Sequence, residues 1–130
     1  MTIIIPAYNC HATLGRTLKS LIEQSFKDFK VLIVDDCSTE NLYEVIDQYN
    51  DKLNITVVKT PYNQGCGGAR QKGIETVSTS DNYIIFVDAD DILLPNAVEV
   101  LQTAIRNEPD IVITPFLIKE LNGKVRLYNF

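Results

Sequence analysis

The sequence predicts an α/β fold: a mostly parallel sheet with helices on both faces and a β-hairpin at the C-terminal end. Three observations predict it. Short β-rich runs alternate with stretches of helical periodicity. The run Phe29 to Val34 is continuously apolar-rich, as a parallel strand covered on both faces requires. Asn122-Gly123, set between two β-rich runs, is a strong type I′ hairpin signal.

Taken in order, Ile3 to Ile5 reads as a first strand ended by Pro6. Leu14, Leu18, Leu21 and Ile22 recur at i, i+4, i+7 and i+8, which marks an amphipathic helix. After the Phe29–Val34 strand, Ser38 or Thr39 is placed to cap a helix whose inward stripe is Leu42, Val45, Ile46 and Tyr49. Ile55 to Val58 is a third strand, and Gly65-Cys66-Gly67-Gly68 leads into a helix around Ala69 to Val77. Tyr83 to Val87, the most hydrophobic strand, is expected at the centre of the sheet. Pro95 suits the first turn of a helix carrying Ala97, Val98, Leu101, Ala104 and Ile105. Ile111 to Thr114 reads as a further strand, and Phe116 to Leu121 with Lys124 to Tyr128 as the hairpin. The crossovers are expected to be right-handed.

The chain's 130 residues fit one domain, long enough to bury a core without metal or disulfide staples. A net charge of −5 and the lack of any Lys/Arg run argue against a nucleic-acid surface or a polybasic membrane patch. Three cysteines, an odd number, fit a reduced compartment better than a disulfide framework. The start has no basic region or signal core, and no apolar stretch approaches the ~20 residues of a membrane span.

In such sheets ligands bind beyond the carboxyl ends of the strands. Those ends carry Pro6-Ala7-Tyr8-Asn9, Asp35-Asp36-Cys37-Ser38 and Asp88-Ala89-Asp90-Asp91. Five carboxylates gathered at one edge repel one another, which a bound cation relieves. Asp88 and Asp90 are two apart, so an extended chain would point both to one side, as ligands of Mg²⁺ or Mn²⁺ shared with substrate phosphates. Helix capping or solvation explains an isolated Asp-x-Asp more readily, and Asp91 reads as a turn or cap residue. Asp36 can accept the N3–H of uracil, a proton that neutral cytosine lacks, or can serve the turn with Ser38. The glycines at 65, 67 and 68 can admit a diphosphate at a helix start, although Arg70 occupies the place of the last Gly of a dinucleotide fingerprint. Arg70 can contact phosphate or pair with an Asp; Tyr8 can stack on a base or pack beside a strand end. Cys10, His11, Cys37 and Cys66 lack the paired spacing of a zinc site, and the lone His11 reads as a surface residue opening the first helix.

As a set, Ile4-Ile5-Pro6-Ala7-Tyr8-Asn9, Val34-Asp35-Asp36-Cys37-Ser38-Thr39, Asn63-Gln64-Gly65 with Gly68-Ala69-Arg70, and Phe86-Val87-Asp88-Ala89-Asp90-Asp91 resemble family 2 glycosyltransferases of the Rossmann-like GT-A fold. Gln24-Ser25-Phe26 before the second strand matches as well. The resemblance implies an inverting transferase that uses a nucleotide-sugar donor, usually UDP-linked, with Mn²⁺ or Mg²⁺, and a glycan or lipid-linked acceptor, in a setting such as surface polysaccharide synthesis. By this similarity Pro6, Ala7 and Tyr8 border the nucleoside, Asp36 accepts the uracil N3–H, and Asp88 lies near the ribose and metal. Asp90 is the stronger candidate for direct metal coordination, and Arg70 flanks the nucleotide. Gln71 departs from the family, where Asn often follows the Ala-Arg pair.

The resemblance further implies that residues 1–130 are one nucleotide-sugar-binding domain, that the general base lies beyond Phe130, and that this chain supplies no catalytic base. A cytoplasmic location follows from it, with attachment to the inner membrane face left to parts outside these residues. The alternative from another class is a receiver-like regulatory domain, with Asp88 as phospho-acceptor; Thr114-Pro115-Phe116 lacks the Lys it would need. A sugar-nucleotide pyrophosphorylase would instead show a Gly-rich loop where Pro6-Ala7-Tyr8-Asn9 stands.

Overall fold

The computed structural model describes residues 1–78, 83–120 and 123–128. Four parallel strands form the main sheet: β1 (Thr2–Ala7), β2 (Lys30–Asp35), β3 (Ile55–Lys59) and β4 (Ile84–Phe86), in the order β3-β2-β1-β4. The register runs Ile3 opposite Val31 and Ile85, and Val31 opposite Ile55. The α-helices are α1 (His11–Ile22), α2 (Tyr43–Ile46), α3 (Gly65–Thr76) and α4 (Ala97–Ala104), the last continued by a 3-10 turn at Ile105–Asn107. An antiparallel hairpin of β5 (Phe116–Lys119) and β6 (Val125–Tyr128) closes the chain, with Phe116 stacked on Tyr128 at a ring-centroid distance of 5.3 Å. No described helix is long and apolar enough to cross a membrane.

Alternation along β1 divides the core. Ile3, Ile5 and Ala7 pack with Leu14, Leu18 and Leu21 of α1, with Val45 and Ile46 of α2, and with Val98 of α4. Ile4 faces the other way, joining Leu32, Val34 and Ala69 under α3. Successive side chains on a strand point to opposite faces, so helices cover both sides of the sheet.

Several details differ from the sequence expectation. β1 continues through Pro6 to Ala7. Pro6 is tolerated because the backbone groups at even-numbered positions of β1 face β4, whose pairing with β1 ends at Ile4 opposite Phe86, so no ladder bond needs the Pro6 N–H. Neither Ser38 nor Thr39 caps α2, which begins at Tyr43 after Leu42. Both are instead engaged with Asn9, in the contacts described below. Pro95 lies ahead of the N-cap Asn96 rather than inside the first turn of α4. The glycine stretch is not a loop before α3 but its first turn. β4, expected at the centre, lies at one edge of the sheet, with β1 and β2 between it and β3. Ile111 to Thr114 forms no strand, and Ile111 and Ile113 remain exposed. The type I′ signal at Asn122 falls outside the described residues; Gly123 has the positive φ, +83°, that such a turn uses.

Two contacts position the site. A Cβ on Gly73 would stand 2.5 Å from Ile4 Cγ2, so glycine lets α3 lie directly on β1. Gly73→Ala is expected to destabilise the fold by ~1–3 kcal/mol through overpacking, read as a lower denaturation midpoint at unchanged slope. Gln24, buried at the end of α1, donates to the carbonyls of Ser20 and Leu94 and accepts from the Val98 amide. Ser20 Oγ accepts from the Leu93 amide, so α1 grips the chain just after the acidic 88–91 turn. Gln24→Leu leaves these buried groups unpaired and should cost ~2–4 kcal/mol, about 10 °C in Tm. An unchanged Tm would mean that water replaces the amide.

Candidate active site

The carboxyl ends of β1, β2 and β4 and the start of α3 enclose an open cavity of about 640 Å³. The residues that the family resemblance assigns to the nucleotide and metal all line it, Pro6, Ala7, Tyr8, Asp36, Arg70, Asp88 and Asp90, whereas Gly67, Gly68 and Asp91 do not. Asn9, Cys10, Thr13, Asn63, Gly65 and Cys66 line it as well. β1 delivers Pro6 and Ala7, with Tyr8 half-exposed just beyond. The Asp36 amide donates to the Ala7 carbonyl at 2.7 Å, which extends the β1–β2 pairing one step past the strands.

Asp36 is 2% exposed, and its carboxylate is already engaged. Oδ1 accepts from Thr60 Oγ1 at 2.7 Å and from the Gln64 amide at 3.0 Å, and Oδ2 shares the Gln64 amide at 3.0 Å. Oδ1 also lies against the Thr60 hydroxyl, whose oxygen is 2.9 Å from the Tyr62 carbonyl as well, whereas Oδ2 takes only the shared Gln64 N–H and is the oxygen with spare acceptor capacity. Asp36 therefore anchors the turn into α3 and still offers one acceptor position. Its neighbour Asp35 is a purely structural carboxylate: it accepts from the Ser38 amide at 2.8 Å and pairs with Lys59 at 3.3 Å.

The segment after β4 is a tight turn, with the Asp91 amide donating to the Asp88 carbonyl at 3.0 Å. The extended geometry that would bring Asp88 and Asp90 to one side is absent, yet the turn still delivers both carboxylates to the cavity wall. Asp88 pairs with Arg70 of α3 at 2.5 Å, and the guanidinium also lies over the Phe86 ring, 5.8 Å from its centroid. Of the two readings open for Arg70, this structure shows the Asp pair. Asp90 is exposed. Partial desolvation, with Asp88 and Asp90 close by, pushes the carboxyl of Asp91 above its ordinary range. Burial likewise raises the Cys10 thiol to about 11, so it stays protonated at neutral pH. His11 opens α1 near the surface, 3.6 Å from Glu44.

The cavity wall thus holds three carboxylates against one guanidinium, a formal charge of −2 among the described residues. Asp88 Oδ1 is paired with Arg70, and Asp90 is the exposed carboxylate of the three. The described residues hold no group of three His, Cys, Asp or Glu gathered as an ion site. The donor set fits a hard cation that takes its other ligands from phosphate and water, the usual habit of Mg²⁺.

Asn9 is the residue whose role the sequence did not disclose. Its carboxamide oxygen holds the loop after β2, as set out below, and no local pattern marks that contact because its partners lie about 30 residues away.

The profile described as Glycosyl transferase family 2 matches residues 2–128. An uncharacterised glycosyltransferase of Haemophilus influenzae is 33% identical over 111 residues, covering 85% of this chain and 36% of that protein. The UDP-Glc:α-D-GlcNAc-diphosphoundecaprenol β-1,3-glucosyltransferase WfaP of Escherichia coli is 35% identical over 91 residues, covering 70% of this chain and 35% of its own. The crystal structure of Staphylococcus aureus TarS 1–349 in complex with UDP superposes with a TM-score of 0.75 at 29% identity, over 82% of this chain and 32% of that one. The chain therefore spans about a third of the length of these relatives. Its parallel sheet and flanking helices are those of the GT-A glycosyltransferase fold, and the chain belongs to glycosyl transferase family 2.

Proposed function

We propose that residues 1–130 form the donor-binding domain of an inverting glycosyltransferase that takes a UDP-sugar with Mn²⁺ or Mg²⁺ and passes the sugar to a hydroxyl of a glycan or lipid-linked acceptor. The observation that carries this reading is the single acceptor position left on Asp36. A lone Oδ2 lone pair suits one N–H, which uracil presents at N3. Guanine would offer N1–H and N2–H together and needs both carboxylate oxygens; neutral cytosine has no N3 proton. The UDP held by TarS supports the same choice.

In this reading Pro6, Ala7 and Tyr8 border the nucleoside, with Tyr8 free to stack on the base. Asp88 sits by the ribose, restrained by Arg70, and Asp90 would hold the cation with Asp88 beside it. The cation would supply Lewis-acid neutralisation of the diphosphate leaving group. The acceptor oxygen attacks the anomeric carbon from the opposite face, and a base removes its proton. No cavity carboxylate is left for that proton: Asp36 is tied to Thr60 and Gln64, Asp88 to Arg70, and Asp90 is given to the cation. The base is accordingly assigned outside these residues. Membership of the family sets the receiver-like alternative aside. WfaP, by its name, acts on a lipid diphosphate-linked sugar, which makes a lipid-linked acceptor the first to try. The free thiols of Cys10, Cys37 and Cys66 suit a cytoplasmic setting.

The test is base selectivity by calorimetry. UDP with Mn²⁺ should bind more tightly than CDP or GDP, and Asp36→Asn should shrink the UDP-to-CDP ratio by about 10-fold or more, since a hydrogen bond to a charged acceptor is worth ~1.5–3 kcal/mol. A ratio that does not move returns Asp36 to its anchoring of Thr60 and Gln64 alone.

A further inference from the structure

The two central strands end in an uncommon backbone arrangement. Asn9, two residues past β1, has φ +47°, and Cys37, two residues past β2, has φ +62°. Non-glycine residues rarely hold the left-handed region, and they do so only where their surroundings over-determine it. Here the restraint is reciprocal. The Asn9 amide donates to Ser38 Oγ at 3.0 Å. In return, Asn9 Oδ1 accepts from the Thr39 amide at 2.9 Å, from Thr39 Oγ1 at 3.1 Å and, more distantly, from the Glu40 amide at 3.4 Å. Glu40 completes the closure by accepting from the His11 amide at 3.0 Å. Tyr8 immediately precedes Asn9, and Asp36 lies two residues before Ser38; these are the two residues assigned to the base.

We propose that Asn9 is a positioning residue that locks the β1 and β2 loops together and so pre-forms the nucleoside half of the cavity. The proposal rests on the donor-binding reading above. Without the lock, Tyr8 and Asp36 would be correctly spaced in only a fraction of molecules, and apparent affinity falls by that fraction. The phosphate end is built from α3 and the 88–91 turn, which Asn9 does not touch directly; its tie to the β2 loop runs through the Asp36 carboxylate and the Gln64 amide. The lock therefore predicts a larger effect on the nucleoside than on the diphosphate, a difference that a general loss of stability would not produce.

The test uses three variants of this chain. Asn9→Gly keeps the left-handed backbone but removes the acceptor; Asn9→Asp keeps both the acceptor and a residue tolerant of that backbone; Asn9→Ala loses both. Kd is measured for UDP with Mn²⁺ and for inorganic pyrophosphate with Mn²⁺, well below each variant's Tm. We expect UDP binding to weaken about tenfold in Asn9→Gly and more in Asn9→Ala, with pyrophosphate binding changed by less than about threefold in both. Asn9→Asp adds a carboxylate to the cavity wall and weakens both ligands, so it is read on the ratio of UDP to pyrophosphate Kd, expected within about threefold of the unaltered chain's. Amide exchange at Thr39 and Glu40 should quicken in Asn9→Gly and not in Asn9→Asp. Equal UDP affinity in Asn9→Gly and the unaltered chain, or parallel losses for UDP and pyrophosphate in that variant, would overturn the lock while leaving the donor reading intact. Failure of the unaltered chain to bind UDP would overturn both.

Discussion

Chelating the divalent ion is expected to weaken UDP binding by roughly 10²–10³-fold, and Asp90→Ala is expected to reproduce that loss with Mn²⁺ present. The expectation follows from charge. The cavity wall carries three carboxylates and one guanidinium, and that guanidinium is already held by Asp88. A diphosphate brought there unaccompanied meets net negative charge at a few ångströms, where one partly screened charge pair is worth about 4 kcal/mol. A divalent cation between Asp90 and the phosphates reverses the sign of that interaction. Asp88→Asn should behave differently. It removes a negative charge and releases Arg70 toward the phosphates, so affinity should fall less than in Asp90→Ala and respond less to EDTA. Calorimetry with UDP, Mn²⁺ and EDTA on the three proteins separates these outcomes. Equal affinity with and without the ion would remove the cation from the proposal.

Much of this site is legible in the sequence because it sits where strands stop. A continuous apolar run followed at once by Asp or by Pro-Ala-Tyr-Asn marks a strand end, and a parallel sheet places all such ends at one edge. Pro6, Ala7, Tyr8, Asp36, Arg70, Asp88 and Asp90 consequently line a single cavity. The reason given for pairing Asp88 with Asp90 does not carry over, since the chain turns there rather than extending.

Where the sequence reading departs from the structure, the deciding contact is distant in the chain. Ser38 and Thr39 look like caps because a helix follows, but Asn9, about 30 residues earlier, engages both. Glycine's poor helix propensity argues for a loop at Gly65 to Gly68, whereas the stretch is the first turn of α3, lying on β1 where Gly73 meets Ile4. Hydrophobicity ranks β4 as central because it cannot tell a buried strand from an edge strand flanked by other apolar chain. Residues Ile111, Val112 and Thr114 lie across a cavity of about 490 Å³ from Ile84 to Phe86, and Tyr83 Oη donates to the Pro109 carbonyl nearby. Ile111, Val112 and Thr114 thus share a cavity with the edge strand without joining its ladder.

Transfer to an acceptor by residues 1–130 alone is expected to be at least 10²–10⁴-fold slower than a base-assisted reaction, even with donor and cation bound. Each carboxylate on the cavity wall has other work. Protonating or displacing Asp36 would release Thr60 and Gln64, Asp88 is held by Arg70, and using Asp90 as base would forfeit the cation. The match covers only 36% and 35% of the two relatives' own length, so most of their residues have no counterpart here. Slow hydrolysis of the donor should survive, because leaving-group assistance needs only the cation and the residues that hold it. The measurement is to incubate the chain with Mn²⁺, a panel of UDP-sugars and lipid-linked and free glycan acceptors, and to count sugar delivered to acceptor against sugar delivered to water. Hydrolysis without transfer is the expected result. Transfer that outpaces hydrolysis, and that Asp88→Asn or Asp90→Asn abolishes without abolishing UDP binding, would place the base on the 88–91 turn and reassign the carboxylate concerned from cation to proton.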